Sequence, residues 1–272
     1  MTTREFAPNL SVGRLAAAAG ALMLLGACAG TGQQASVVPA RVAQETQREG
    51  WFPQPETYQR VQPGCQGECP TLKVDSLVFP GHPELTRYIN HTLANMAGIG
   101  EAPQDDFASL ADFESHFWKT AGPRDEVVLS ARVRYANRHL TVVQLDSWHY
   151  PTGAAHGISA TALVNWRNGG QKALTLDDLL LPGKYAEFEK ALRDAHAVWL
   201  AGNPDARHDL GNYMRMWPFQ PTRNVGISDA GLVAQYGSYE IAPYSGGHPE
   251  LLVPFDRLRG ILQPAYLPPS GG

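Results

Sequence analysis

The chain has 272 residues, 43% of them hydrophobic, and its 22 Lys and Arg against 26 Asp and Glu give a formal net charge of −4. This mildly acidic chain has no basic run or stripe, so it lacks the electrostatic footprint of a nucleic-acid-binding protein. The hydrophobic fraction is enough for a globular core, and the length allows one large domain or two small ones.

The N-terminus is predicted to be a lipoprotein signal peptide, residues 1–27. Arg4 and Arg14 lead into an apolar stretch over residues 15–25, which is shorter than the about 20 residues needed to cross a bilayer. Small residues follow as far as Cys28, an order typical of a cleaved export signal. Because Cys28 comes directly after Leu-Gly-Ala, we expect cleavage before it and a lipid on its thiol that holds the protein on a membrane.

The residue after this cysteine predicts the destination. Ala29 stands where an inner-membrane retention signal would have Asp, so the bacterial sorting rule predicts the outer membrane, with the protein facing the periplasm. The alternative is a plain secretory signal that ends near Ala29 and leaves the protein without a lipid.

A tether and a pair of cysteines come next. Residues 28–61 are rich in Gln, Gly, Thr and Pro and have no lasting period, so they are predicted to be a flexible tether. The alternative for its last third is an ordered segment, if Trp51 and Phe52 dock on the domain. Cys65 and Cys69 lie in a stretch rich in Pro and Gly, and outside the cytoplasm two such cysteines should form a disulfide. A zinc site, the alternative, would need two further ligands that their neighbours do not offer.

A small α/β subdomain is predicted for residues 62–124. Residues 72–79 have the pattern of a strand, and a helix with one apolar face begins at Pro83. A second helix is expected over residues 105–118.

An α+β domain is predicted for residues 125–264, because the period of the apolar residues changes from 3.6 to 2. Strands are expected over residues 127–135, 140–148 and 158–166, a helix over 185–199, strand-like runs at 225–227, 232–236 and 250–253, and a short helix at 255–262. Residues 203–224 are expected to be irregular, and residues 265–272 are expected to be a disordered tail. Strands clustered together, with helices inserted between them, predict an antiparallel sheet and the α+β class.

No motif for catalysis or cofactor binding is complete. The nine histidines include no H-x-x-x-H or H-E-x-x-H pair, and the chain has no G-x-S-x-G and no G-x-x-x-x-G-K loop. We therefore expect no metal, no cofactor and no catalytic serine. The acidic pairs at residues 105–106 and 177–178 precede apolar runs, so we interpret them as helix caps rather than as acid–base pairs.

The loop at residues 149–157 is the first candidate binding element. It places His149, Tyr150 and His156 beside small, flexible residues. Two imidazoles in such a loop suit a ligand pocket or a proton shuttle. The alternative is a turn in which histidine bonds to the backbone.

The segment at residues 239–248 is the second candidate. Pro243 cannot donate to a strand ladder and a double glycine permits unusual backbone angles, so a sharp turn is expected. Tyr239 and Tyr244 flank this turn, with Glu240 and His248 beside them. Such amphipathic rings suit stacking on a sugar or contact with a partner loop. The alternative is that both tyrosines cap the core.

Three blocks of residues resemble one known family. Residues 153–157 (Gly-Ala-Ala-His-Gly) are similar to its glycine-histidine turn, residues 174–180 (Leu-Thr-Leu-Asp-Asp-Leu-Leu) to its L-T-L-x-D-L-F block, and residues 231–244, which end in Tyr-Glu-Ile-Ala-Pro-Tyr, to its G-L-x-F…Y-E-I-A-P-Y block. The family is the C-terminal domain of unknown function shared by RsiV-type anti-sigma factor ectodomains and PdaC-type peptidoglycan deacetylases. The resemblance covers about residues 125–262.

This resemblance implies an extracytoplasmic α+β domain without an agreed enzymatic role, since the deacetylase chemistry belongs to a separate metal-dependent domain. In the anti-sigma members the domain recognises lysozyme, which indicates a binding module. The sequence shows neither a cytoplasmic anti-sigma segment nor a transmembrane helix, so transcriptional control is not expected.

Three functions are left as hypotheses. The first is a non-catalytic envelope lipoprotein that binds a cell-wall-associated ligand, either a lysozyme-like muramidase or peptidoglycan glycan, through residues 149–157 and 239–248. The second is a structural or assembly lipoprotein that holds another envelope protein, supported by the tether and the acidic surface. The third is a hydrolase that uses His149 or His156 with Asp146, for which no complete catalytic constellation is visible.

Overall fold

Two β-sheets and the helices packed on them make up the part of the chain that the computed structural model describes, residues 52–96 and 106–268. The first sheet has six strands in the order of the sequence. They are β1 (Gln54–Val61), β2 (Thr71–Val78), β3 (Glu126–Ala136), β4 (Leu140–Tyr150), β5 (Ile158–Arg167) and β6 (Lys172–Leu174). Neighbouring strands are antiparallel except β2 and β3, which are parallel. The parallel pair requires a crossover connection, and two helices provide it.

Those two helices, α1 (Pro83–Met96) and α2 (Leu110–Thr120), cover one face of the six-stranded sheet. Leu85, Ile89 and Leu93 are spaced four apart, so they fall on one side of α1, and all three are completely buried. With apolar residues of α2 and of strands β2 to β5 they form the first hydrophobic core.

The second sheet has three antiparallel strands, β7 (Val225–Ile227), β8 (Gly231–Gln235) and β9 (Glu250–Pro254). The remaining helices of the described residues are α3 (Leu176–Leu179), α4 (Tyr185–Gly202), α5 (Pro204–His208), α6 (Leu210–Met216) and α7 (Phe255–Leu258). The apolar side of α4, where Phe188 and Leu192 are buried, packs with residues of both sheets in the second hydrophobic core.

Two asparagines join the second sheet to β5. Asn165, which is 2% exposed, donates from Nδ2 to one carbonyl oxygen of β7 (2.6 Å) and accepts at Oδ1 from one backbone N–H of β7 (3.0 Å). Asn224 accepts at Oδ1 from Leu163 N (2.7 Å) and donates from Nδ2 to Thr161 O (2.9 Å). These side-chain amides therefore form the hydrogen bonds of backbone N–H and C=O groups that have no strand partner at those positions.

The α+β class is confirmed, and so are the three long strands β3 to β5 and the helix α4. The segments predicted as separate units, residues 62–124 and 125–264, share the six-stranded sheet because β2 pairs with β3. They also share the first hydrophobic core, which contains Leu72 from one segment and Leu129 from the other.

Three stretches are more ordered than the sequence pattern predicted. The end of the predicted tether forms β1, an edge strand paired over its whole length with β2, and its weak apolar alternation concealed it. Residues 203–224 contain α5 and α6, because Pro204 is tolerated at the start of a helix and Asn203 and Asp209 cap the two N-termini. In the predicted tail, Tyr266 and Leu267 pack against the second hydrophobic core. The final helix, by contrast, ends at Leu258.

The two acidic pairs have different roles. Asp178 confirms the helix-cap prediction, because its side chain accepts from Thr175 N (2.9 Å) while the Thr175 side chain accepts from Asp178 N. The bonds from Thr175 and Lys172 lower the pKa of Asp178 to about 2. The prediction was wrong for Asp106, which precedes a helix that Ser109 caps instead.

The disulfide between Cys65 and Cys69 is present, with 2.03 Å between the sulfur atoms, and lies in the turn between β1 and β2. The predicted signal peptide, Cys28 and the first part of the tether lie outside the described residues. Within residues 52–96 and 106–268, no helix has the length and apolar character needed to cross a membrane.

The contribution of β1 to stability can be tested at Tyr58, whose side chain packs against the first hydrophobic core. Tyr58→Ala should lower the free energy of unfolding by about 1–3 kcal/mol in urea denaturation. The matched control is Gln59→Ala, because Gln59 is exposed and the next residue of a strand points to the opposite face. It should change the same quantity by less than about 0.5 kcal/mol. Equal stability of both variants and the wild type would mean that β1 is not part of the folded unit.

Candidate ligand-binding site

Two loops meet on one side of the protein. The first, residues 151–157, connects β4 to β5, and the second, residues 236–249, connects β8 to β9. Tyr244 donates its hydroxyl hydrogen to Gly157 O over 3.2 Å, and Ser159 Oγ lies 2.8 Å from His248 Nε2. The structure thus brings together the two segments that the sequence selected independently.

Six aromatic rings lie in two groups across these loops and the neighbouring chain, and we call the six together the aromatic strip. Its members are Tyr150, Trp148, His156, Tyr244, Tyr239 and Trp217. Ring centroids lie 6.0 Å apart for Tyr150 and Trp148, 4.5 Å for His156 and Tyr244, 5.7 Å for Tyr244 and Tyr239, and 6.2 Å for Tyr239 and Trp217. None of the six side chains is buried, and Tyr239 is 52% exposed. These separations lie in the range where aromatic rings attract one another.

Gly157 joins the two parts of the aromatic strip. Its backbone lies so close to the Trp148 ring that an added Cβ atom would be 2.2 Å from Nε1 of the indole. Its carbonyl oxygen accepts from the Tyr244 hydroxyl and lies 2.9 Å from His156 Nδ1. One glycine therefore holds three rings of the aromatic strip in place. The contact of His156 with a backbone oxygen also agrees with the alternative interpretation of its loop.

The backbone of the second loop turns Tyr239 towards solvent. Tyr239 has a φ of 70°, in the left-handed region that non-glycine residues seldom adopt, at a cost of about 1–3 kcal/mol. The carboxylate of Glu240 accepts from Gly237 N over 2.8 Å, and Ile241 and Ala242 are buried in the interior. Glu240 therefore stabilises the turn, and a tyrosine exposed to this extent does not cap the core.

His149 lies apart from the aromatic strip. Side chains alternate along β4, so His149 points to the face opposite Trp148 and Tyr150. Its ring is 6.4 Å from that of Phe117 on α2, and its Nε2 is 3.8 Å from Asp125 Oδ2. Burial lowers the pKa of His149 despite the opposing effect of Asp125, so the ring is neutral at pH 7.

One pairing of the hydrolase hypothesis, Asp146 with His149, does not form. Asp146 and His149 are three residues apart in one strand and therefore lie on opposite faces of the sheet. Asp146 instead accepts from Gln144 Nε2 over 2.8 Å and lies 3.6 Å from Arg132. Among residues 52–96 and 106–268, no group of three or more His, Cys, Asp or Glu side chains is arranged to hold a metal ion.

The sequence reasoning missed two rings of the aromatic strip. Trp148 carried a usable signal, because it alternates with Tyr150 along a strand and so shares its face. Trp217 carried none, because its neighbour in space, Tyr239, belongs to a distant loop.

The fold and the aromatic strip define a class of protein, an α+β domain of two sheets with six aromatic rings, none of them buried, where their loops meet. A family model described as "Protein of unknown function (DUF3298)" matches residues 177–256. The crystal structure of a DUF3298 family protein from Pseudomonas aeruginosa PAO1 matches with 33% identity and a TM-score of 0.74, over 80% of this chain and 97% of that chain. The chain belongs to the DUF3298 family.

A second crystal structure, of a DUF3298 family member from Bacteroides fragilis NCTC 9343, matches with 19% identity and a TM-score of 0.58 over 78% of this chain and 93% of that chain. It shares the fold. No curated protein matches the chain.

Acid should destabilise the protein through His149. Its pKa is lowered on folding, so below the unfolded value of about 6.5 the unfolded chain binds a proton that the folded chain does not. The contribution of His149 to the free energy of unfolding is therefore fully present above that value. It decreases as the pH falls towards the pKa that His149 has in the folded protein. Lowering the pH from about 7.5 to about 5.5 should reduce the Tm more in the wild type than in His149→Phe.

The control for this experiment is His208→Gln, because His208 is exposed on α5. On acidification, the Tm of this variant should fall by as much as the Tm of the wild type. An equal loss in His149→Phe would contradict the role of the buried imidazole.

Proposed function

We propose that this protein is a non-catalytic lipoprotein of the bacterial cell envelope that binds the glycan strands of peptidoglycan through its aromatic strip. The observation that carries the proposal is the set of six rings, none of them buried, that two loops and the chain beside them bring to one side of the protein. A sugar ring presents a face of C–H groups that stacks on an aromatic ring, while its hydroxyls stay in water.

The arrangement favours an extended, repetitive ligand. His156, Tyr244 and Tyr239 form one compact group, with ring centroids 4.5, 5.7 and 6.5 Å apart, and Trp217 adds to it at 6.2 Å from Tyr239. Trp148 and Tyr150 form a second group. A polymer of sugars can stack on both groups at once, whereas a single sugar can use only one.

The rings are also held before any ligand arrives. Tyr150 donates its hydroxyl hydrogen to Ala154 O over 2.8 Å, and Tyr244 donates to Gly157 O. Side chains that are already ordered lose less entropy on binding, which favours affinity.

The family resemblance supports a ligand in the cell wall. Both RsiV-type and PdaC-type proteins carry the related domain outside the membrane, and in the former it recognises lysozyme. A muramidase is therefore the second candidate ligand for the aromatic strip. A lipid on Cys28 would hold the domain on the outer membrane facing the periplasm, within reach of the wall.

The glycan proposal is tested with the chain that starts at Ala29, by sedimentation with insoluble peptidoglycan. Tyr239→Ala combined with Tyr244→Ala should weaken binding by about tenfold or more, because two anchoring rings are lost. The matched control is Tyr88→Ala, since Tyr88 is 38% exposed but lies on α1 against Trp166. It should bind like the wild type, and circular dichroism checks that both variants fold.

The outcomes separate the candidates. Failure of the wild type to sediment with peptidoglycan would overturn the proposal. Retention on immobilised lysozyme without retention on peptidoglycan would favour the muramidase instead.

The lipid anchor is tested with the full chain expressed in a bacterial host. Cys28→Ser should abolish incorporation of labelled palmitate and move the protein from the membrane fraction to the soluble fraction, because the acceptor thiol is gone. The control, Cys65→Ser with Cys69→Ser, removes the two disulfide cysteines and should keep the label. Labelling that persists in Cys28→Ser would contradict the anchor.

A further inference from the structure

A second concave site lies between α4, α5 and α6, and none of its residues belongs to the aromatic strip. It is a cavity of about 400 Å³, within the size range of small-molecule sites. Most of its wall is apolar and includes Leu200, Ala206, Leu210, Met214 and Phe219.

Large apolar side chains at this cavity remain in contact with water. Leu210 is 49% exposed and Met214 is 45% exposed, while Leu200 and Ala206 are buried in a small core beneath them. A ligand with an apolar part would remove these side chains and its own surface from water together, which is favourable.

The charged groups in the wall are both cations. The Arg193 guanidinium lies 4.2 Å from the centroid of the Phe219 ring, and its Nη2 lies 3.0 Å from Glu189 Oε1. Arg207 is exposed, and it forms no ion pair within the part of the chain that the structure describes. No carboxylate of the described residues lines the cavity and Glu189 already pairs with Arg193, so Arg207 is the cation of the wall that is free to pair with an anionic group of a ligand.

A buried polar side chain in the wall also lacks a partner. His196 is 3% exposed, stacks on Trp199 at 5.8 Å between ring centroids, and contacts Phe219 at 5.5 Å. Its Nε2 is buried and has no hydrogen-bond partner among the described residues. Burial, followed by the nearby Arg193, lowers the pKa of His196, so the ring is neutral at pH 7. An unpaired buried nitrogen is costly, and a polar atom brought in by a ligand can relieve that cost.

We propose that this cavity binds a free fatty carboxylate, with the alkyl chain in the apolar space and the carboxylate at Arg207. An alkyl chain matches the aliphatic wall, and a carboxylate matches the guanidinium group of Arg207, which forms no ion pair among the described residues. This site does not depend on glycan binding at the aromatic strip.

The experiment follows the methionine methyl groups by NMR in the chain that starts at Ala29, with sodium decanoate as the probe. Met214 lines the cavity, whereas Met216 is 57% exposed on the same helix and lies outside the wall, so it is an internal control. Decanoate should shift the Met214 signal in a saturable way and leave Met216 unchanged. Decanol, which has the same chain without the charge, should bind more weakly.

The charge is tested with Arg207→Glu, which should weaken decanoate binding by about tenfold or more because a charge-assisted contact is replaced by repulsion. The matched control is Arg215→Glu on α6, because Arg215 is exposed but does not line the cavity, and it should keep the wild-type affinity. Three results would overturn the proposal: no shift of Met214 with decanoate, equal affinity for decanol, or no effect of Arg207→Glu. A shift of Met214 seen only with phosphatidylglycerol vesicles would overturn it as well, because the ligand would then be a membrane lipid.

Discussion

The hydrogen bonds from Asn165 and Asn224 fix where the second sheet lies against the first. Beyond its last residues, which pair with β6, the outer edge of β5 has no neighbouring strand among the described residues. Asn224 supplies the missing donor and acceptor for Leu163 N and Thr161 O. Asn165 does the same for two backbone groups of β7. Because buried backbone groups without partners are costly, few other placements of the second sheet would satisfy them.

The aromatic strip depends on that placement. The loop between β8 and β9 carries Tyr239 and Tyr244, and the loop between β4 and β5 carries His156 and Gly157. At Gly226 a side chain would come within 3.0 Å of Val142 Cγ1, so β7 approaches the first sheet closely. A shift of the second sheet would separate Tyr244 from Gly157 and so disrupt the aromatic strip. The proposed glycan site is therefore a property of the contact between the two sheets.

The aromatic strip and the cavity between α4, α5 and α6 suit different ligands for physical reasons. The aromatic strip offers ring faces in two groups, which suits a polymer that can be bound at several points. The cavity is partly enclosed and apolar, with Arg193 and Arg207 in its wall, which suits a small amphiphile.

Much of the fold was predictable because it depends on neighbouring residues. The apolar face of α1 follows from the spacing of Leu85, Ile89 and Leu93, and the start of α3 follows from the short-range bonds between Thr175 and Asp178. The disulfide of the β1–β2 turn and the two loops of the candidate site were also selected from local composition. β1 was missed because an exposed edge strand has little apolar alternation, and the helices α5 and α6 were missed because Pro204 begins the first and Pro218 follows the second.

The arrangement of the candidate site, in contrast, depended on contacts between distant parts of the chain. Tyr244 and Gly157 are 87 residues apart and are joined by one hydrogen bond. The sequence predicted that His149 and His156 share a site. The alternation of side chains along β4, however, places His149 on the face opposite Trp148 and Tyr150 of the aromatic strip. Local sequence therefore determined the elements and the candidate residues, whereas the packing of one sheet on the other determined which rings form the site. Such packing rests on hydrogen bonds and shape matching between segments whose proximity no local pattern encodes.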